Sequence, residues 1–168
     1  MSVGMSVEPT VRDRAEQPYV GVRATITMTS FARVADRIPE IFAWLGERGI
    51  APAGPPFFRY YLIDVERELE VEAGVPVRAA VEGGDGVRGG VLPAGRYATI
   101  THVGHPDRLF GTIEALLGWA AERRLEWDME RTERGERWGC RLEWFKTDPR
   151  VEPDRDKWET ELAFRLAT

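Results

Sequence analysis

Cysteine is almost missing from this chain: Cys140 is the single one among 168 residues. An intrachain disulfide and a multi-cysteine zinc site are thereby excluded. Histidine is nearly as scarce. His102 and His105 stand alone, with no convincing third ligand beside them, so we expect no metal site and no cofactor. Dense basic runs are absent too. The 23 basic residues are outnumbered by 28 acidic ones, leaving a net charge of −5, and direct nucleic-acid binding lacks its electrostatic footprint. No apolar run approaches the roughly 18 residues that mark a membrane helix. The N-terminus shows no basic patch followed by an apolar stretch, so it does not read as a signal peptide. Together these absences predict a cytoplasmic protein with no membrane partner. No Ser/His/Asp or Cys/His spacing supports a catalytic triad, and Cys140, between Gly139 and Arg141, reads as a buried thiol.

What the chain does contain is a repeat. The apolar positions Val34, Ile38, Ile41, Phe42, Trp44 and Leu45 recur 75 residues later as Leu109, Ile113, Leu116, Leu117, Trp119 and Ala120. Both sets have helical spacing, and each carries one Trp at the edge of its stripe. A hydrophobic content of 43% with 30% charged residues is ordinary for a globular chain. The expected organisation is a single domain over 7–167. Repeat one covers about 7–78, a Gly-rich linker about 79–94 and repeat two about 95–167. Two facing half-domains leave a cleft between them, a common place for a ligand.

Each repeat reads as strand, helix, strand, strand. Residues 1–6 look like a loose tail. Strands are expected at 7–14 and 19–29, with a turn at Gln17-Pro18. Thr29 or Ser30 is placed to cap a helix. Pro39 either kinks that helix or lies near its start, and Gly49 ends it. Further strands are expected at 57–63 and 65–75. The second repeat supplies a strand at 96–103, a helix from Pro106 to about Arg124, and strands at 136–146 and 157–167 joined by the polar loop 147–156. The fold class is therefore α+β, a duplicated unit with a largely antiparallel sheet and its helices on one face.

Two features resemble sites without being read as such. Glu66, Glu68, Glu70 and Glu72 alternate with Arg67, Leu69, Val71 and Ala73, which predicts a solvated acidic sheet face that discourages edge pairing. The run Glu82-Gly83-Gly84-Asp85-Gly86-Val87-Arg88-Gly89-Gly90 lacks the Gly-Lys-Ser/Thr ending of a phosphate loop and reads as a hairpin or flexible linker.

The chemistry concentrates around Glu143. It lies in an aromatic strand beside Leu142, Trp144 and Phe145. A carboxylate in such a setting resists ionisation unless a partner compensates. It can attract a cationic aromatic ligand, aided by ring faces, or serve as general base on a bound water. Alternatively it pairs with Arg141 or a cross-strand arginine and does nothing more. Tyr60 and Tyr61 fall in the matching strand of repeat one, one facing the cleft and the other the helices. Trp44 and Trp119 flank their helical stripes and so are placed to line the edge of the cleft.

A His102-Val103-Gly104 turn precedes the second helix, which carries Trp119 late in its length; the run Glu143-Trp144-Phe145-Lys146-Thr147-Asp148-Pro149 and the closing Trp158-Glu159-Thr160-Glu161-Leu162 follow. With the duplicated unit, these motifs resemble the GyrI-like family, the small-molecule-binding domains of the gyrase-inhibitor and SOUL type. The resemblance implies a cleft between the repeats, with Glu143 as key acid and Tyr60 as its tyrosine. Phe145 departs from the tyrosine that the family often has there. No helix-turn-helix segment precedes the repeats, so a complete one-chain transcription factor is not expected. Such domains bind hydrophobic, planar or cationic small molecules. Some relatives are hydrolases that open the cyclopropane of DNA-alkylating natural products. In that role Glu143 would deprotonate water, Tyr60 would hydrogen-bond the carbonyl oxygen, and Trp119 and Phe145 would sandwich the ring system. A gyrase-inhibitor-like protein-interaction module is a third possibility. Exposed sheet edges allow a monomer or a homodimer.

Overall fold

In the computed structural model, residues 8–168 are described; the expected loose tail 1–6, and Val7 of the first expected strand, lie outside them. Nine strands form one curled sheet. They are β1 (Thr10–Arg14), β2 (Gln17–Ile26), β3 (Phe57–Ile63), β4 (Leu69–Pro76), β5 (Arg88–Leu92), β6 (Gly95–Val103), β7 (Met129–Thr132), β8 (Gly135–Phe145) and β9 (Glu159–Arg165). Three helices accompany them: α1 (Ala32–Ala35), α2 (Arg37–Glu47) and α3 (Leu109–Glu122). The strand order is β1-β6-β9-β8-β3-β4-β2-β5, with β7 on β8. Every strand pair is antiparallel. The duplicated α+β unit is thus present. Repeat one contributes β2-β4-β3, repeat two β6-β9-β8, and the two meet where β3 pairs with β8.

The helices form where the sequence places apolar residues at helical spacing. Ile41, Trp44 and Leu45 of α2 are buried, as are Leu116 and Ala120 of α3. Each helix covers its own cluster on one face of the sheet. Beneath α2 lie Val20, Phe58, Tyr60, Val71 and Ala73; beneath α3 lie Ala98, Trp138, Leu162 and Phe164. Full burial of a large apolar side chain contributes about 1.5–3 kcal/mol, so these two clusters fix both helices. Pro39 sits in the first turn of α2, where its missing N–H costs nothing. Gly49 ends that helix at φ 67° while the Ile50 N–H returns to the Leu45 carbonyl. Repeat two closes the same way, but with Arg124 at φ 57° and the Leu125 N–H on Ala120.

Several expectations need correction. Ser30 does not cap a helix: its hydroxyl accepts from the Thr27 N–H at 2.8 Å and closes a turn. Gln17 and Pro18 open β2 rather than forming a turn, and the chain turns at Ala15-Glu16 instead. The segment 65–75 is not one strand. Asp64 to Glu68 form a tight turn, with the Asp64 N–H on the Glu68 carbonyl at 3.1 Å, and β4 begins only at Leu69. Of the two readings of the Gly-rich segment, hairpin or flexible linker, the structure shows the hairpin. Gly84 and Val87 bridge across a turn, and Arg88–Leu92 becomes β5, paired with β2. Its counterpart β1 pairs with β6. Each repeat therefore passes its leading strand to the sheet edge of the other, which ties the halves together. The strand β7 had no expected counterpart; its four residues, Met-Glu-Arg-Thr, carry no alternation.

Candidate functional site

Of the candidate site residues, Tyr60 stands on β3 and Glu143 and Phe145 on β8, the two strands at the centre of the sheet, and Trp119 on α3. The register of the two strands sets Phe58 opposite Glu143 and Tyr60 opposite Arg141. Because side chains alternate along strands, these four share one face with Phe145. That face is the helix-covered one, since Tyr60 and Phe58 belong to the α2 cluster and Phe145 packs against it. Here the expectation of one tyrosine toward the cleft and the other toward the helices is corrected. Both helices pack on the same face, so Tyr60 lies there and Tyr61 points to the opposite one. The strip between the two helix-covered clusters is where the repeats meet.

Glu143 is 6% exposed, and its Oε1 accepts a 3.0 Å hydrogen bond from the Tyr60 hydroxyl. No other hydrogen bond to its carboxylate and no ion pair of Glu143 occurs among the described residues. The expected pairing of Glu143 with Arg141 is thus not made at ion-pair distance. Burial pushes the Glu143 carboxyl above its ordinary range, only partly offset by the Tyr60 hydrogen bond and the Arg141 charge. Burial, then the Glu143 charge, pushes the Tyr60 phenol well above its own range. Tyr60 therefore stays a neutral donor at ordinary pH.

Rings border this acid. Phe58 meets Phe145 edge-on at 4.8 Å, and Phe31, just before α1, lies 6.5 Å from both Phe58 and Tyr60. On the other side Arg141 carries its guanidinium 4.3 Å from the Phe164 ring centre and 4.8 Å from that of Trp138. Trp119 is half-buried on α3, packs with the second cluster and has the Arg123 guanidinium 4.3 Å above its ring. Glu143, Tyr60 and Phe145 are thus brought together, while Trp119 belongs to the facing wall. Trp44 does not line an edge: it is buried, and its indole N–H donates to the Gly84 carbonyl at 3.0 Å, pinning the Gly-rich turn. The neighbours Phe31, Phe58 and Arg141 were not among the expected site residues. For Arg141 the signal was present, two positions from Glu143 in the same strand.

A cavity of about 380 Å³ opens elsewhere, lined among others by Tyr97, Leu142, Trp144, Lys146 and Glu161. It lies on the opposite face and touches none of Glu143, Tyr60, Trp119 or Phe145. The helix-face strip is bordered by Phe31, Phe58, Tyr60 and Phe145. His102 bonds Thr112 Oγ1 at 2.6 Å and the His105 carbonyl at 3.1 Å, anchoring the start of α3. Cys140 is fully buried, and burial pushes its thiol up, which suits a core thiol.

This arrangement can now be set beside known proteins. The family model described as the GyrI-like small molecule binding domain matches residues 7–166. The chain belongs to that family. A comparison with curated proteins finds no significant match. Among solved structures, the EcmrR C-terminal domain is 17% identical with a TM-score of 0.74, over 96% of this GyrI-like chain and 98% of that one. The EcmrR chain solved in a complex with DNA is 19% identical with a TM-score of 0.76, over 96% of this chain; the chain spans 57% of that protein's length. SAV2435 bound to tetraphenylphosphonium is 10% identical with a TM-score of 0.59, over 96% and 94% of the two chains. A hydrolase from Listeria innocua is 13% identical with a TM-score of 0.65, over 95% and 92%. At such identities these likenesses speak for the fold. No described helix is long and apolar enough to cross a membrane.

Proposed function

We propose that this GyrI-like domain binds hydrophobic, planar small molecules between its two repeats, with Glu143 and Tyr60 as the polar anchor and Phe145 and Trp119 as flanking rings. One observation carries the reading: a buried carboxylate with a single hydrogen bond and no ion pair, set among aromatic side chains. Burying an acid with so little compensation is costly, and such under-satisfied groups concentrate at functional sites. A ligand that supplies a positive charge or a hydrogen-bond donor removes that cost. SAV2435, of the same fold, was solved with a lipophilic cation, which supports cationic ligands as one class.

The test is titration with planar dyes, cationic and neutral, followed by tryptophan fluorescence and repeated with Glu143→Gln. The expected result is saturable binding that Glu143→Gln weakens more for cations than for neutral dyes. Tight planar-cation binding by Glu143→Gln would remove Glu143 from the anchor.

A second reading is favoured by the Tyr60–Glu143 contact. A carboxylate whose proton affinity is raised is a better base near neutral pH, and the neighbouring phenol is a donor for developing negative charge. Hydrolytic opening of a strained cyclopropane in an electrophilic natural product fits these two groups. Incubation with such a compound should then yield a product heavier by one water, with turnover lost in Glu143→Gln while the neutral substrate still binds. Quenching without any product leaves binding alone.

A further inference from the structure

Arg141 lies on the helix face with its hydrogen-bonding capacity unused: its charge acts on Glu143 from a distance, without an ion pair or a hydrogen bond. It is 9% exposed, yet none of its five N–H donors meets an acceptor among the described residues, and its Nε is fully buried without a partner. Phe164 and Trp138 lie against its guanidinium, and Tyr60 is 6.0 Å away. Ring faces offset part of the burial cost of a cation, but they supply no hydrogen-bond acceptor. The contrast with Arg59 is instructive. Arg59 also has a bare Nε, but its two terminal nitrogens donate to the Gly139 carbonyl at 3.0 Å, the Val91 carbonyl at 3.2 Å and the Tyr19 hydroxyl at 3.2 Å. Arg59 is built into the sheet; Arg141 is held ready.

We propose that Arg141 receives an electronegative oxygen of the ligand, so that the site between the repeats selects flat apolar molecules bearing a carboxylate or a conjugated carbonyl over permanent lipophilic cations. This rests on the helix-face strip being the ligand site. Arg141 and Glu143 are alternate residues of β8, hence on one face at about 6–7 Å along the strand. They are close enough to share a ligand, and the structure leaves them without a mutual ion pair. Their charges sum to zero, so a bare cation gains from Glu143 and loses to Arg141. A ligand with an acceptor over Arg141, and a neutral or donor edge over Glu143 and Tyr60, satisfies both. Guanidinium favours such oxygens because its planar fork can give two parallel hydrogen bonds.

Three pyrene probes of one shape test this with the full chain: pyrene-1-carboxylate, 1-acetylpyrene and pyrene-1-methylammonium. Binding is read by probe fluorescence against wild type, Arg141→Met, Arg141→Lys and Tyr60→Phe. The expected result is that carboxylate and ketone bind about tenfold or more tighter than the ammonium. Arg141→Met should erase that margin and leave the ammonium unchanged or tighter, while Arg141→Lys retains part of the carboxylate preference. Should Arg141→Met not fold, Arg141→Lys alone decides, since a point charge in place of the fork must weaken the ketone more than the carboxylate. Tighter ammonium binding, sensitive to Tyr60→Phe and indifferent to Arg141, overturns the proposal and leaves the helix-face site standing. Absence of binding by all three, or binding that no variant alters, removes the site and the proposal together.

Discussion

Two glutamates are buried in this sheet, one on each face, and they are treated differently. Glu72, 5% exposed, accepts the Tyr19 hydroxyl at 2.5 Å and the Tyr61 hydroxyl at 2.8 Å, and Arg59 reaches the same Tyr19 oxygen. Glu143 has one tyrosine, and the Arg141 beside it makes no side-chain hydrogen bond to another described residue, its Nε being buried without a partner. Both clusters are Glu-Tyr-Arg; the first spans β2, β4 and β3, the second the central strands β3 and β8. The first is nearly closed: its hydroxyls and carboxylate answer one another, and backbone carbonyls take up the terminal nitrogens of Arg59, leaving only its Nε without a partner. The second is open: hydrogen-bonding capacity of Glu143 and Arg141 is left that no described residue takes up. Composition alone does not mark a ligand site. What marks it is how many of the polar groups the protein itself has satisfied.

The largest difference should appear on removing each acid. Glu72→Ala removes the acceptor of the Tyr19 and Tyr61 hydroxyls and empties a buried site, and should cost about 2–3 kcal/mol in urea unfolding. Glu143→Gln keeps the volume, relieves a buried charge and should change stability by less than about 1 kcal/mol. Equal losses at the two positions would show that Glu143 is a structural acid like Glu72. Next come the arginines. Arg141→Met exchanges an unpartnered buried cation for an apolar side chain and should stabilise by about 1–3 kcal/mol, whereas Arg59→Met, which forfeits its carbonyl contacts, should destabilise by about 2 kcal/mol. Destabilisation by Arg141→Met would mean that its ring contacts matter more than its missing acceptors.

Acidity gives a subtler contrast. The folded pKa of Glu143 is raised by burial, so between its unfolded value near 4.5 and its folded value the native state holds a proton that the unfolded chain has lost. Its contribution is therefore present below about pH 4.5 and is lost as pH rises toward the folded pKa. Subtracting the stability profile of Glu143→Gln from that of wild type should leave a fall with rising pH that starts in the mildly acidic range. A rise across that range would mean that the carboxylate is ionised and compensated in the native chain.

Much of this was legible beforehand. The 75-residue echo and the helical stripes located both helices, and the aromatic setting of Glu143 singled out the acid that Tyr60 meets. Glu72 was misread for a physical reason. Period two tells which residues share a face, but not whether that face is wet. Here the face opposite the helices carries its own core of Tyr19, Phe57, Tyr97 and Trp144. The exchanged edge strands were hidden as well. β5 is Arg-Gly-Gly-Val-Leu, a composition of low strand propensity, and its pairing with β2 is non-local. For the site, the sequence placed Arg141 beside Glu143, but opposite charges two residues apart in a strand do not tell whether they pair.

The smallest effect sharpens the comparison most finely, because it concerns one hydroxyl. Tyr60→Phe deletes the one hydrogen bond that the Glu143 carboxylate accepts among the described residues. At pH 8, where more of that acid is ionised, a charge-assisted bond is lost and the cost should be about 1.5 kcal/mol; at pH 4.5, with a protonated carboxyl, it should fall below about 1 kcal/mol. Combining the change with Glu143→Gln should shrink the pH 8 cost, since the coupling between the two groups is what the cycle isolates. Tyr61→Phe behaves otherwise, because Glu72 keeps the short bond from Tyr19 and the loss should stay near 1 kcal/mol. A Tyr60→Phe cost that is flat with pH would place Glu143 in a single protonation state throughout. The open cluster would then be as fixed electrostatically as the closed one.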